Sequence, residues 1–459
     1  MVGDGRRGNP AAARNSTGAG PLIGAWPTGG AGTIGGMRNS APSPCPGRRR
    51  ALLVAACAWP AAAHRRAQAR QAPQLAERLQ RTLAGCGLPQ SSLGLCLCPV
   101  DSGRELAALN ADVPFVMAST AKIVTALAAL DLLGPRWRWR TQAYATGPLW
   151  GGRMKGDLWI VGGGDPRLTS VELRQWLTQL RARGLHESGG DLVVDRSAFL
   201  LHEGDHAGTP VPGPDRPHHA RPDALAVDAG VRLAPQKVAS LWQELGGRVS
   251  GRVREGDLTE GRADRDRLPL LDSDGEPLLP LSTHLSPLLP EVVRDINKTS
   301  NNLAARHLML SLARGFPVQA ATLPRARDRL QGWLLRQGLV TGDIEIDNGS
   351  GLSRAERARP RAVAQLLRRA WSGRESRAFI DSLPVAGVDG TLAHRLLHGA
   401  ATGQAFLKTG TLLDTRALAG FVRARSGRVH AVAVFAHHPE AARATPAIDA
   451  VIEQVARLA

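Results

Sequence analysis

Met117-Ala118-Ser119-Thr120-Ala121-Lys122-Ile123-Val124-Thr125-Ala126-Leu127-Ala128-Ala129-Leu130-Asp131-Leu132-Leu133, closed by Gly134-Pro135, decides how the rest of the chain is read. From Ser119 to Leu133 apolar residues fall on every side, so the pattern predicts a buried helix that Gly-Pro terminates. A lysine on such a helix is costly unless it has a partner or a task. Ser119 and Lys122 stand at i and i+3 on one side of the first turn, within reach of each other. A serine hydroxyl becomes a nucleophile when a base takes its proton, and a desolvated lysine near a second cation is acidic enough to be that base. The helix N-terminus adds N–H groups and positive potential where an oxyanion would form. The plainer alternative makes Ser119 a helix cap and Lys122 a snorkelling surface residue.

Two later triplets bear on that choice. Ser300-Asn301-Asn302 precedes a second helical run, and Lys408-Thr409-Gly410 lies on a strand. Ser300 offers a hydroxyl that can relay a proton to a leaving group, and Asn302 an amide that can hold a substrate carbonyl. Lys408 and Thr409 present a cation and a donor at a strand edge, suited to a substrate carboxylate beside a peptide bound as an added strand. Gly410 lets that backbone approach. Lysine usage points the same way: of 58 basic residues only Lys122, Lys155, Lys237, Lys298 and Lys408 are lysine, and arginine cannot replace an amine that must lose its proton.

Composition bounds the class. The 459 residues are 43% hydrophobic and 21% charged, which fits a folded chain of two or three domains. Residues 1–69 hold nine arginines and one acid, Asp4, so +8 of the +18 net charge sits there. The remainder is spread among acids, with a single Tyr, and this argues against nucleic acid as a partner. Residues 1–36 lack a hydrophobic period. From Met37, a possible true start, Arg48-Arg49-Arg50, the apolar Ala51–Ala63 and small-residue cleavage options predict a secretory signal peptide and a periplasmic protein without a membrane anchor, with lipoprotein attachment at Cys57 a lesser alternative. Cys86, Cys96 and Cys98 remain; an odd count without C-x-x-C spacing predicts buried thiols, with a Cys86 bridge to one of the others as the alternative. His202, His206, His218 and His219 read as a plain loop rather than a metal site, and no cofactor is called for.

Along the chain, helices at 72–83 and 119–133 and a hairpin over 93–108 give way at about 147 to short strands and Pro/Gly/Asp loops with one clear helix, Ser170–Arg183. Helices return at 288–296, 301–313, 325–336 and 362–371, followed by three strands between 405 and 436 and a closing helix. This order describes an α+β module over 70–146 and 285–459, split by an inserted β-rich accessory domain over 147–284.

The ordered S-x-x-K, S-x-N and K-T-G motifs are marks of penicillin-binding proteins and class A β-lactamases. With Gly164-Asp165-Pro166, Asn297-Lys298-Thr299-Ser300-Asn301-Asn302, Asp347-Asn348-Gly349-Ser350-Gly351-Leu352-Ser353-Arg354 and Ala386-Gly387-Val388-Asp389-Gly390-Thr391, the chain resembles the D-alanyl-D-alanine carboxypeptidase/endopeptidase family, the class C low-molecular-mass penicillin-binding proteins. The resemblance implies a transpeptidase-type α+β fold with a large insertion. It also implies hydrolysis of peptidoglycan stem peptides or crosslinks through an acyl-serine, with β-lactams as acylating inhibitors. Carried over, Ser119 is the nucleophile, Lys122 its base, Ser300 and Asn302 the second motif, and Lys408, Thr409 and Gly410 the third. The backbone N–H groups of Ser119 and Thr411 form the oxyanion hole, and Asp165 helps recognise the peptide's diamino acid. Asn301 replaces the commoner Asp, and Arg306 stands where an acid often follows. A β-lactamase or esterase using the same residues, and a non-catalytic wall-binding scaffold, are the alternatives left open.

Overall fold

The three longest consecutive strands are runs of small, β-branched and aromatic residues, buried almost end to end, which is the pattern of a sheet covered on both faces. The computed structural model describes residues 73–206, 220–228, 230–260, 266–271 and 275–459. The leader and signal-peptide reading, Cys57, His218 and His219 lie outside the described residues.

In chain order, helix α1 (73–84) leads to β1 (Leu93–Pro99), β2 (Ala107–Leu109) and α2 (Ala121–Leu132). Then come β3 (Arg140–Ala145), β4 (Leu158–Val161), α3 (Ser170–Ala182), β5 (Leu192–Asp195), α4 (Pro235–Glu244), β6 (Val253–Gly256) and β7 (Ser282–Leu285). Helices α5 (Leu289–Thr299), α6 (Asn302–Ser311), α7 (Leu323–Arg336), α8 (Pro360–Ser372) and α9 (Ser376–Ser382) follow. The chain ends with β8 (Ala405–Leu412), β9 (Thr415–Arg423), β10 (Val429–His437) and α10 (Ala444–Ala456).

The first sheet has the order β8-β9-β10-β1-β2, antiparallel throughout. One face packs on α1 and α10: Leu79, Leu83, Ile448, Val451 and Ile452 join Leu93, Leu95, Leu97, Leu418 and Val432 in one core. Against the other face lie Phe115, stacked on Phe435, and Trp371, tilted on Phe421. The second sheet, β6-β5-β4-β3-β7, is parallel among β6, β5 and β4 and antiparallel through β3 to β7. Helices α3 and α4 share its core through Trp176 and Trp242.

Most expected elements stand within a few residues of their places. Three differ. The helix expected from Ser119 opens as a 3-10 turn, Ala118–Thr120, and becomes α-helical at Ala121. A second helix, α4, lies in the stretch read as having one; Pro235 at its start looks like a loop residue but suits a first helical turn, where no N–H is needed. Helix α9, seven residues long, is too short for its period to stand out.

Pleat parity decides among the cysteines. Leu93, Leu95 and Leu97 face the core that Cys86 packs against, whereas Cys96 and Cys98 point the opposite way, so β1 itself separates them from Cys86. All three are free thiols. Denatured without reductant, the chain from about residue 70 onward is expected to yield three titratable thiols; a yield of one would establish a bridge.

Candidate active site

Ser119 sits in the 3-10 turn that begins α2, after Ala118 with φ +46°, a left-handed conformation that a non-glycine residue adopts only when its surroundings impose it. Lys122, one turn on, is completely buried, so it does not snorkel to solvent. Its Nζ donates to Ser119 Oγ at 3.0 Å, to Asn302 Oδ1 at 2.7 Å and to the carbonyl oxygen of Ser350. These acceptors are neutral. Burial pushes the amine down to about 7, and the negative charge of Glu356 works against that shift.

The corner between α5 and α6 supplies the second group. Ser300 closes α5 in the left-handed region, with φ 59°, and its neighbour Asn301 caps α6 by accepting from Ala304 N at 2.9 Å. Asn and Asp serve almost equally as N-caps, so the departure at Asn301 preserves the local structure. The corner aims Asn302 at Lys122 and Ser300 at Lys408.

Strand β8 supplies the third. Lys408 is completely buried, donates to Ser300 Oγ at 3.0 Å and to Thr409 O at 2.9 Å, and has its pKa driven well below the usual lysine value by burial and then by Lys122. β8 is an edge strand. Ala405 and Leu407 use their outward backbone groups on Ala386 and Pro384, and the alternation of an antiparallel strand puts the backbone groups of Thr409 and Thr411 on that same outward edge. Gly410 packs over the serine turn: a Cβ there would come within 2.9 Å of Met117 O.

Of the groups that hold this cluster together, sequence reasoning quoted Lys298 and the 347–354 and 386–391 runs without giving them a role, and passed over Glu356. The 348–351 loop wraps over α2, with Thr125 Oγ1 donating to Gly349 O at 2.9 Å and Lys122 to Ser350 O. Gly351, at φ +86°, lies so close that a Cβ would meet Ala118 O at 2.0 Å. Buried Glu356 accepts from the N–H groups of Asn348, Gly349 and Gly351. Lys298 donates to both carboxylate oxygens of Asp389 at 2.6 Å, and Thr391 shares a 2.7 Å hydrogen bond with Thr409, so the 386–391 loop is pinned to α5 and β8 together.

Ser119, Lys122, Ser300, Asn302, Lys408 and Thr409 thus meet in one cluster. Asp165 makes no hydrogen bond to any of them. It is buried, its Oδ1 accepts from Arg167 N at 2.8 Å, and its Oδ2 has no hydrogen-bond partner; burial raises its pKa to about 7. Its neighbour Gly164 accepts at 3.0 Å from His307 Nδ1 on α6. Among the described residues no three His, Cys, Asp or Glu side chains are grouped to hold a metal.

The fold and this constellation define the class of penicillin-binding serine peptidases. The chain matches the D-Ala-D-Ala carboxypeptidase 3 (S13) family over residues 75–244 and 220–458, and it belongs to that family, a serine-type peptidase and a hydrolase. It is 24% identical to D-alanyl-D-alanine carboxypeptidase DacB of Haemophilus influenzae over 73% of this chain and 83% of that one. It is 26% identical to the D-alanyl-D-alanine carboxypeptidase of Actinomadura sp. (strain R39) over 78% and 80%. Among solved structures, penicillin binding protein 4 (dacB) of H. influenzae superposes with a TM-score of 0.70 at 20% identity, covering 82% of this chain and 99% of that one.

Asn302→Ala removes one of three acceptors around a buried amine, and the rate of acylation by penicillin is expected to fall on the order of 100-fold. Asn301→Ala removes only a helix cap; it should cost about 1 kcal/mol in a denaturant titration and leave acylation within about threefold.

Proposed function

We propose that this chain is a periplasmic serine DD-peptidase that cuts peptidoglycan stem peptides or crosslinks beside a D-Ala, exported by the signal peptide read in residues 37–69. The observation that carries the chemistry is Lys122 Nζ, buried and 3.0 Å from Ser119 Oγ, with its basicity lowered to about 7. A neutral amine there takes the hydroxyl proton as Oγ bonds to the carbonyl carbon of the penultimate D-Ala. The developing oxyanion rests on the N–H groups of Ser119 and Thr411. As the carbon–nitrogen bond breaks, the proton passes to the leaving amine through Ser300, which Lys408 holds at 3.0 Å. Water then attacks the ester carbonyl and gives a proton to Lys122; the acyl C–Oγ bond breaks as Lys122 passes that proton to Oγ, which releases the acid and restores Ser119.

The substrate backbone lies along the outward edge of β8 at Thr409 and Thr411, with its carboxylate near Lys408 and Thr409 and its backbone close over Gly410. Asn302 holds a substrate carbonyl through its amide group. Asp165 accepts the amine of the peptide's diamino acid, a role supported by its Oδ2, which has no hydrogen-bond partner and stands 3.8 Å from His284 Nε2. Residues 147–284 form a domain inserted between the catalytic segments 70–146 and 285–459. Support comes from β3, which ends just before the stretch, and β7, which closes it; they pair antiparallel, so the chain leaves and returns at one place. No helix of the described residues is long and apolar enough to cross a membrane. A β-lactam acylates the same serine, and its amine stays tethered after ring opening, which hinders the attacking water. The H. influenzae protein has been solved with a β-lactam bound.

Incubated with a fluorescent penicillin, the chain from about residue 70 onward is expected to gain one adduct by intact mass, absent in Ser119→Ala, and to release D-Ala from a D-Ala-D-Ala peptide only in the parent. Rapid loss of the adduct with turnover of the drug would indicate a β-lactamase; no adduct in the folded parent would favour a non-catalytic scaffold.

A further inference from the structure

A single peptide unit, between Ser350 and Gly351, is hydrogen-bonded at each end to a buried ionisable side chain. Its carbonyl oxygen accepts from Lys122 Nζ, and its N–H donates to Glu356 Oε2. The other carboxylate oxygen, Oε1, takes the N–H groups of Asn348 at 3.1 Å and Gly349 at 2.6 Å. A protonated carboxyl would set its own O–H against one of these donors, so the three-donor cradle fits the carboxylate. Polarised from both sides, the peptide transmits charge between amine and carboxylate. Gly351 cannot carry a side chain here, because a Cβ would strike Ala118 O at 2.0 Å and Ser119 N at 2.6 Å. The same loop therefore touches the nucleophile's turn, the base and Glu356.

We propose that Glu356 is a positioning residue for acylation: through the Ser350–Gly351 peptide its carboxylate holds Lys122 beside Ser119 and keeps the amine basic enough to take the serine proton. The proposal rests on the reading of Lys122 as the base. The charges facing the pair come from every side. Lys122 opposes a proton on Lys408 of β8, and Glu356 favours one on Lys122. Around Glu356 stand Lys122 from α2, Arg306 from α6, and Asp347 of the same loop, itself paired with Arg327 of α7. Burial raises the Glu356 carboxyl to about 7, while the N–H groups of Gly349 and Gly351 and the charge of Lys122 pull it down. Without the carboxylate, Lys122 would keep its desolvation and lose the charge that opposes it.

The test uses the chain from about residue 70 onward. The rate of acylation by a fluorescent penicillin is measured against pH for the parent and Glu356→Gln, and melting temperatures are compared for the parent, E356Q, K122M and the K122M/E356Q double variant. The acidic limb of acylation is expected to move down by about one pH unit or more in E356Q. E356Q should also lower the melting temperature more when Lys122 is present than in the K122M background, where it removes an unpaired buried carboxylate. Folding of the double variant where E356Q alone fails to fold would support the coupling in its strongest form. An unshifted limb, equal melting losses in the two backgrounds, or failure of both E356Q chains to fold would overturn it. A parent that folds but is never acylated would instead count against the proposed function, with the melting comparison still deciding the coupling.

Discussion

Two lysine amines buried away from bulk solvent are the constraint on which the rest of the site depends. Lys122 and Lys408 are each completely buried, the first hydrogen-bonded to Ser119 and Asn302 and the second to Ser300. Burying one ammonium costs several kcal/mol even after relaxation, and a second cation nearby adds repulsion. The structure answers with neutral oxygens: Asn302 Oδ1, Ser119 Oγ and Ser350 O around one amine, Ser300 Oγ and Thr409 O around the other. Neutral acceptors orient an amine without fixing its proton as a directly paired carboxylate would. The result is an amine poised near neutrality where a serine proton must be taken.

This requirement accounts for much of the surrounding architecture. The α5–α6 corner must present Ser300 and Asn302 to different amines, which it does by breaking the helix at one left-handed residue and restarting it from the Asn301 cap. Strand β8 must lie against the serine turn, which requires Gly410, and the 348–351 loop must lie over α2, which requires Gly351. The Lys298–Asp389 pair and the Thr391–Thr409 hydrogen bond tie the remaining loop to both sides of the cleft. A site that holds cations against their preference for water needs support in every direction, and these contacts supply it.

The S-x-x-K and K-T-G groups were legible in the sequence because both depend on short spacing: i and i+3 on a helix, or neighbours on a strand. The layered α+β fold was legible for a similar reason, since long apolar runs carry their period openly. Glu356 was not. Arg354-Ala355-Glu356-Arg357 has the composition of a solvated turn, and only the fold turns its one acid inward onto three backbone N–H groups. Asp389 and Lys298 lie 91 residues apart, a separation across which sequence shows no pairing. Helix α4 was hidden by the proline that starts it, and the opening of α2 as a 3-10 turn reflects the packing of Gly410 and Gly351 against it rather than the propensity of Ala118-Ser119-Thr120.

The central claim is that Lys122 acts as a neutral amine whose basicity burial has lowered to about 7. The most direct measurement is the pH dependence of Ser119 acylation in the unmodified protein, followed by the intact mass of the penicilloyl adduct. The account predicts a rate that rises with pH through about 7, as Lys122 gives up its proton, and then levels off. A rate that is flat across this range, or that falls as the pH rises through it, would contradict the account.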